Sequence, residues 1–202
     1  MRLLKLLPPP LRGIVETLLT LALALAVAWL AQAYVIKPYE VPTLSMWPTL
    51  QAHDRVLTDR LILDFENPHR GQIVVFHPTV CKPGHDEQGV CDTPALSQRT
   101  GYSSEYYIKR VIGLPGDTVW SVNGKVWIKP ANGAAFQLKE PYLARSVTTE
   151  MSKVHVPQGY YFMMGDNRGP SDDSRMWGPE PRGEIVGVAF LRYWPLDRIG
   201  LL

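Results

Sequence analysis

"DTVWSVNGKVWIK", residues 117–129, places two β-rich apolar runs on either side of Asn123-Gly124. A tight two-residue hairpin needs positive φ at both central positions, and Asn-Gly supplies it with little steric penalty. The stretch therefore predicts a β-hairpin. Working outward, "RGQIVVFH" (70–77), "YYIKRVIGL" (106–114), "GYYFMMGDN" (159–167) and "EIVGVAFLRYW" (184–194) are rich in β-branched and aromatic residues and bounded by turn formers. Eighteen prolines and sixteen glycines, scattered through the 202 residues, favour short strands and turns over long helices. The expected fold is mostly β, a coiled or barrel-like antiparallel sheet.

One segment departs from that pattern. "IVETLLTLALALAVAWLAQAYVI", residues 14–36, carries Glu16 as its only charge. Roughly 20 apolar residues span the hydrocarbon core of a bilayer as a helix. Arg2, Lys5 and Arg12 precede the segment and Lys37 alone follows closely, so the basic excess assigns the amino-terminal side to the cytoplasm. The expected organisation is a cytoplasmic terminus (1–13), a transmembrane anchor (14–36) and an extracytoplasmic β-rich domain (37–202). The competing reading is a cleaved signal peptide, because "AQA" at 31–33 is a small-x-small site. With 21 basic and 19 acidic residues, the charge balance gives no nucleic-acid footprint.

Between the strands at 70–77 and 106–114 the sequence turns polar, and a loop-rich insertion is expected around 77–104. It holds Cys81 and Cys91, ten apart. A disulfide closing a short loop is the preferred reading for an extracytoplasmic domain. Two free thiols, or a zinc site with His77, Cys81, His85 and Cys91, are the alternatives, and the zinc spacing matches no common pattern. No metal site is therefore assigned.

Three stretches carry candidate chemistry. In "VPTLSMWPTL" (41–50), Ser45 lies between Pro42 and Pro48, which restrict the backbone on both sides. A serine nucleophile needs a base. None of the five histidines sits in a recognisable hydrolase motif, although His53 or His155 would serve in a Ser–His–Asp arrangement. Lys109 interrupts an apolar strand and shares a face with Tyr107 and Val111, while Tyr106, Ile108, Arg110 and Ile112 share the other. Alternation does not decide which face is core, and a lysine that protects a sheet edge fits the pattern equally. Burial lowers a lysine pKa by up to ~3–5 units, enough to make a base of it near neutrality. The third stretch, "GDNRGPSDDSR" (165–175), follows apolar residues abruptly. Its polar side chains suit either a surface turn or a hydrogen-bonded loop that orients a site.

The motifs "SMWPTL" soon after an amino-terminal apolar segment, "YIKRVIGLPGD" and "GDNRGPSDDSR" occur in this order, and together the chain closely resembles the type I signal peptidases. These are membrane-anchored serine proteases that remove signal peptides from exported preproteins. The resemblance implies a Ser–Lys dyad, with Ser45 as nucleophile and neutral Lys109 as general base. It implies an oxyanion hole made by the Thr43 hydroxyl and the backbone N–H of Ser45. It places Ser171 where a hydroxyl hydrogen-bonds the lysine, and Asp173 and Arg175 as a supporting salt bridge, with Asp166 and Asn167 structural. Implied partners are preproteins with small side chains at the first and third positions before the cut, the lipid bilayer beside Met46 and Trp47, and the secretion machinery in proximity. The implied location is the cytoplasmic membrane, and no cofactor is implied. The rival readings are the Ser–His–Asp hydrolase and a non-catalytic anchored β domain that binds exported peptides.

Overall fold

The computed structural model describes residues 8–78, 106–144, 148–169 and 171–202, so Cys81, His85, Cys91 and nearly all of the expected insertion lie outside the described residues. The first element is helix α1, Pro9–Tyr34, 26 residues long. The segment expected to be helical to residue 36 instead leaves the helix at Tyr34, and strand β1 (Ile36–Glu40) follows directly. Pro38 excludes the helical conformation at Lys37, and β-branched Val35 and Ile36 suit the extended chain. Among the described residues no helix is long and apolar enough to cross a membrane.

The remainder is mostly β. β1, β2 (Arg55–Asp59), β3 (Ile73–Phe76), β4 (Tyr107–Gly113), β9 (Tyr160–Met164), β10 (Glu180–Pro181), β11 (Ile185–Trp194) and β12 (Gly200–Leu201) form one antiparallel sheet. Its order is β1-β2-β11-β3-β4-β9-β10, with β12 also on β11, so it coils without closing and leaves β1 and β10 as edges. The ten-residue β11 pairs with both β2 and β3 and shifts register three times along these pairings. Such bulges bend a strand and raise its twist, which curls the sheet.

The hairpin expected from Asn123-Gly124 is β5 (Thr118–Val122) and β6 (Lys125–Lys129), with φ of 51° and 73° at the two turn residues. Trp120 and Trp127 face each other across it and stack at 6.3 Å between ring centroids. With β7 (Phe136–Gln137) and β8 (Met151–His155) the hairpin makes a second, four-stranded sheet in the order β7-β6-β5-β8. Val119, Val126 and Ile128 of this sheet share a buried core with Ile112 of β4 and Phe162 and Met164 of β9. The small sheet is thereby fixed to the two strands that lead into the site.

Strand β4 lies in the middle of the large sheet, between β3 and β9, and Ile108 to Gly113 are all buried. Both faces are core. The edge-strand alternative for Lys109 is therefore excluded: the side chain is 4% exposed on a central strand.

Candidate active site

Ser45 sits in a single 3-10 turn, Leu44–Met46, between β1 and β2. The turn is held from below by Met46, fully buried with Val41, Leu50, Val56, Ile73 and Ile108. Deleting such a side chain typically costs about 2–5 kcal/mol, so the turn has little freedom to move. The expectation that Met46 faces lipid is corrected here: it is core, whereas Leu44 and Trp47 on either side are exposed. Thr43 caps the turn with an extended backbone, and its Oγ1 accepts a 3.4 Å hydrogen bond from the Ser45 N–H. The Thr43 hydroxyl in turn donates to Ser45 Oγ at 3.1 Å.

Lys109 comes from β4, and its Nζ lies 2.6 Å from Ser45 Oγ, a buried contact between residues 64 apart in sequence. Burial pushes the lysine pKa down from 10.5 to about 8. The nearby Asp173 and Asp172 carboxylates oppose that fall, and the Arg175 guanidinium adds to it. No carboxylate takes a hydrogen bond from this amine among the described residues. A cleft of about 660 Å³ opens over the pair, lined by residues 37–43, by Tyr106 to Lys109 and by Asp172.

The loop at 165–175 closes the other side. Gly165 has no room for a side chain: an added Cβ would lie 2.4 Å from the Ser45 carbonyl oxygen and 2.2 Å from Ser171 Oγ. The Asn167 backbone N–H donates to that Ser45 carbonyl at 2.9 Å, and Asn167 Nδ2 donates to the Leu44 carbonyl at 3.2 Å. Asp173, fully buried, caps the short helix Ser174–Trp177 and accepts from the Gly165 N–H at 2.9 Å. Arg175 Nε and Nη2 both donate to Asp173 at 2.8 Å. Ser171 differs from expectation: its hydroxyl donates to Asp173 Oδ2 at 2.8 Å, and no hydrogen bond joins it to Lys109 among the described residues.

Several residues of the site went unread in the sequence. Arg110, adjacent to Lys109 and directed to the opposite face, donates to Asp166 from Nε at 2.8 Å and from Nη2 at 2.6 Å. Thr49 donates to the same carboxylate at 2.5 Å. Arg168, 3% exposed, pairs with Glu140. An arginine in an apolar strand needs a carboxylate, so Arg110 carried a signal. The Arg168–Glu140 pair joins segments 28 residues apart and carried none. The histidines proposed as rival bases are elsewhere: His53 is exposed and bonded to Glu40 at 2.9 Å, and His155 is exposed on β8.

A coiled antiparallel sheet with a serine hydroxyl and a lysine amine in buried contact at one cleft defines a class of β proteins, and among the described residues no histidine reaches the serine. Comparison with known proteins narrows the class. Residues 14–194 match the family described as "Signal peptidase, peptidase S26". The signal peptidase I of Leptolyngbya laminosa is 36% identical over 189 residues, covering 94% of this chain and 84% of that protein. A probable signal peptidase I-2 of Synechocystis sp. is 37% identical over 194 residues, covering 96% and 79%. Among solved structures, a signal peptidase I from Enterococcus faecalis is 28% identical, covering 61% of this chain and 97% of that one, with a TM-score of 0.43. The chain belongs to the signal peptidase family.

Proposed function

We propose that this protein is a membrane-anchored serine endopeptidase that removes amino-terminal signal peptides from exported preproteins, with Ser45 as nucleophile and neutral Lys109 as general base. The observation that carries the reading is the 2.6 Å Nζ–Oγ contact inside a buried pocket. At pH 7 a lysine with a pKa of about 8 is neutral in about one molecule in ten. An unperturbed lysine is neutral in about one in three thousand. In the neutral form the hydrogen bond reverses: Ser45 Oγ–H donates to the amine lone pair, and the amine takes the proton as Oγ attacks the scissile carbonyl. The resulting ammonium then protonates the leaving amine. The same lysine, neutral again, activates the water that hydrolyses the acyl-enzyme.

The oxyanion is assigned to the Thr43 hydroxyl and the Ser45 N–H. In the resting arrangement the Ser45 N–H donates to Thr43 Oγ1, and the Thr43 hydroxyl donates to Ser45 Oγ. Substrate must therefore draw both donors toward its own oxygen. One such donor is worth about 3–4 kcal/mol of transition-state stabilisation. Ser171 acts through Asp173, and Asp173 with Arg175 holds the loop that faces the lysine. Asp166 and Asn167 fix the turn from behind.

An extended peptide is a fitting substrate, because β1 is an edge strand whose residues line the cleft and edges accept added strands. Membrane anchoring through α1 is supported by its described leucines, which point outward without protein cover, for example Leu23 at 66% and Leu25 at 62% exposure. On this reading residues 1–13 are cytoplasmic, 37–202 are extracytoplasmic, and the secretion machinery is a neighbour. The test is cleavage of a preprotein in detergent by wild type, Ser45→Ala and Lys109→Ala side by side. Wild type cuts, and both variants lose about 10³-fold or more while folded. A Lys109→Ala protein that still cuts at the wild-type rate removes lysine from the mechanism.

A further inference from the structure

We infer that Glu140, carried by the connection that leaves the small sheet after β7, is a positioning residue for Ser45. The turn that carries Ser45, Leu44–Met46, rests on Asn167. Two of the turn's carbonyls, those of Leu44 and Ser45, are held by Asn167, once through the side chain and once through the backbone. Asn167 is held only as firmly as its neighbours, Asp166 and Arg168. Asp166 is fixed by Arg110 of the large sheet and by Thr49 of the segment that follows the turn.

Arg168 is fixed from a different part of the molecule. Its guanidinium is buried and donates to both oxygens of Glu140, to Thr148 Oγ1 at 3.0 Å and to the Gly165 carbonyl at 3.1 Å. Glu140 also accepts from the Tyr142 hydroxyl at 3.0 Å. The Tyr142 ring lies against the Arg110 guanidinium, 3.9 Å from its centroid. Glu140 thus holds Arg168, which follows Asn167, and Tyr142 covers Arg110, which holds Asp166 on the other side of Asn167. Two guanidiniums and two carboxylates, Asp166 and Glu140, balance in one buried cluster, and only Glu140 comes from outside the motifs around the serine. A buried charge that loses its partner reorganises its surroundings, and here the first thing to move is residues 165–169.

A displacement of the order of 1 Å in a reacting group costs up to about 10²-fold in rate. The inference rests on the proposed peptidase activity for its kinetic readout, so a second readout is independent of it. Full-length protein in detergent is compared as wild type, Glu140→Gln, Glu140→Asp and Tyr142→Phe, by preprotein cleavage and by amide hydrogen exchange. For Glu140→Gln the expected result is a kcat lower by about 10- to 100-fold with KM within about 3-fold. Exchange should quicken in residues 44–47 and 165–169 while β5 and β6 keep their protection. Tyr142→Phe, which keeps the ring on Arg110, covers the case in which Glu140→Gln does not fold; it should show the same exchange pattern with a kcat loss of about 2- to 5-fold. Glu140→Asp should recover part of the loss. Unchanged exchange at 44–47 in both Glu140→Gln and Tyr142→Phe overturns the inference, as does unchanged kcat in both. A wild type that cuts nothing, with the exchange pattern as expected, overturns the peptidase reading and leaves the positioning role standing.

Discussion

Lys109 and Arg110 are neighbours on one buried strand, and the protein treats their charges in opposite ways. Arg110 looks toward Asp166, which takes two hydrogen bonds from it. Lys109 looks toward a hydroxyl, and burial brings its pKa down to about 8. An arginine cannot be neutralised and must be paired; a lysine can give up its proton instead. Paired charges hold the Arg110 side of the strand, whereas on the other side the Lys109 amine meets a hydroxyl and, among the described residues, no carboxylate within hydrogen-bond distance. The difference is one of side-chain partner, since backbone and depth are shared.

The sharpest way to break this comparison is to exchange the roles. Lys109→Arg places a permanent charge where a neutral base is needed, and cleavage should fall by about 10⁴-fold or more in a preprotein assay. Next comes Thr43→Val, which deletes one hydroxyl at the serine and should lower kcat by about 10²- to 10³-fold with little change in KM. On the paired side, Asp166→Asn leaves Arg110 buried without a counter-charge. Unfolding by denaturant should then show a loss of about 3–5 kcal/mol.

The contrast also has a signature in stability. The fall of the Lys109 pKa from 10.5 to about 8 corresponds to about 3 kcal/mol of penalty on the buried ammonium at neutral pH. Between these two values the unfolded chain holds a proton that the folded one has released, so stability rises with pH across that window. Lys109→Met should therefore be more stable than wild type by about 3 kcal/mol at pH 7, an advantage that fades toward pH 10.5. Denaturant midpoints at pH 7, 9 and 10 measure it; a gap that stays constant would break the account. In wild type, kcat/KM should climb about tenfold per pH unit below about pH 8 and then level. The smallest effect is expected from His53→Ala, within about 2-fold of wild type, because that exposed ring bonds Glu40 and, among the described residues, nothing at the site.

The strands built from long β-branched runs were legible in the sequence: β3, β4, β9, β11 and the Asn123-Gly124 hairpin all form where the pattern put them. β1, β2 and β8 were not, because "IKPYE", "RVLTD" and "MSKVH" are short, polar-rich and, in β1, interrupted by proline. Only pairing with neighbours makes them strands. At the site, the order of the three motifs marked Ser45, Lys109 and the 165–175 loop. Partnership was harder to read. Ser171 serves Asp173 rather than the lysine, and the Glu140–Arg168 pair depends on how the small sheet's connection folds back, which no local pattern encodes.

The junction of α1 with β1 has a mechanical consequence. A single residue, Val35, separates the end of the helix from the start of the strand, and Ser45, the proposed nucleophile, comes nine positions after that start. Nine extended residues reach at most about 30 Å. With α1 in a bilayer, the blade is on a short, stiff leash. It would trim chains that emerge close to the lipid surface and leave loops farther out untouched, so that geometry would restrict the choice of target before any side chain was read.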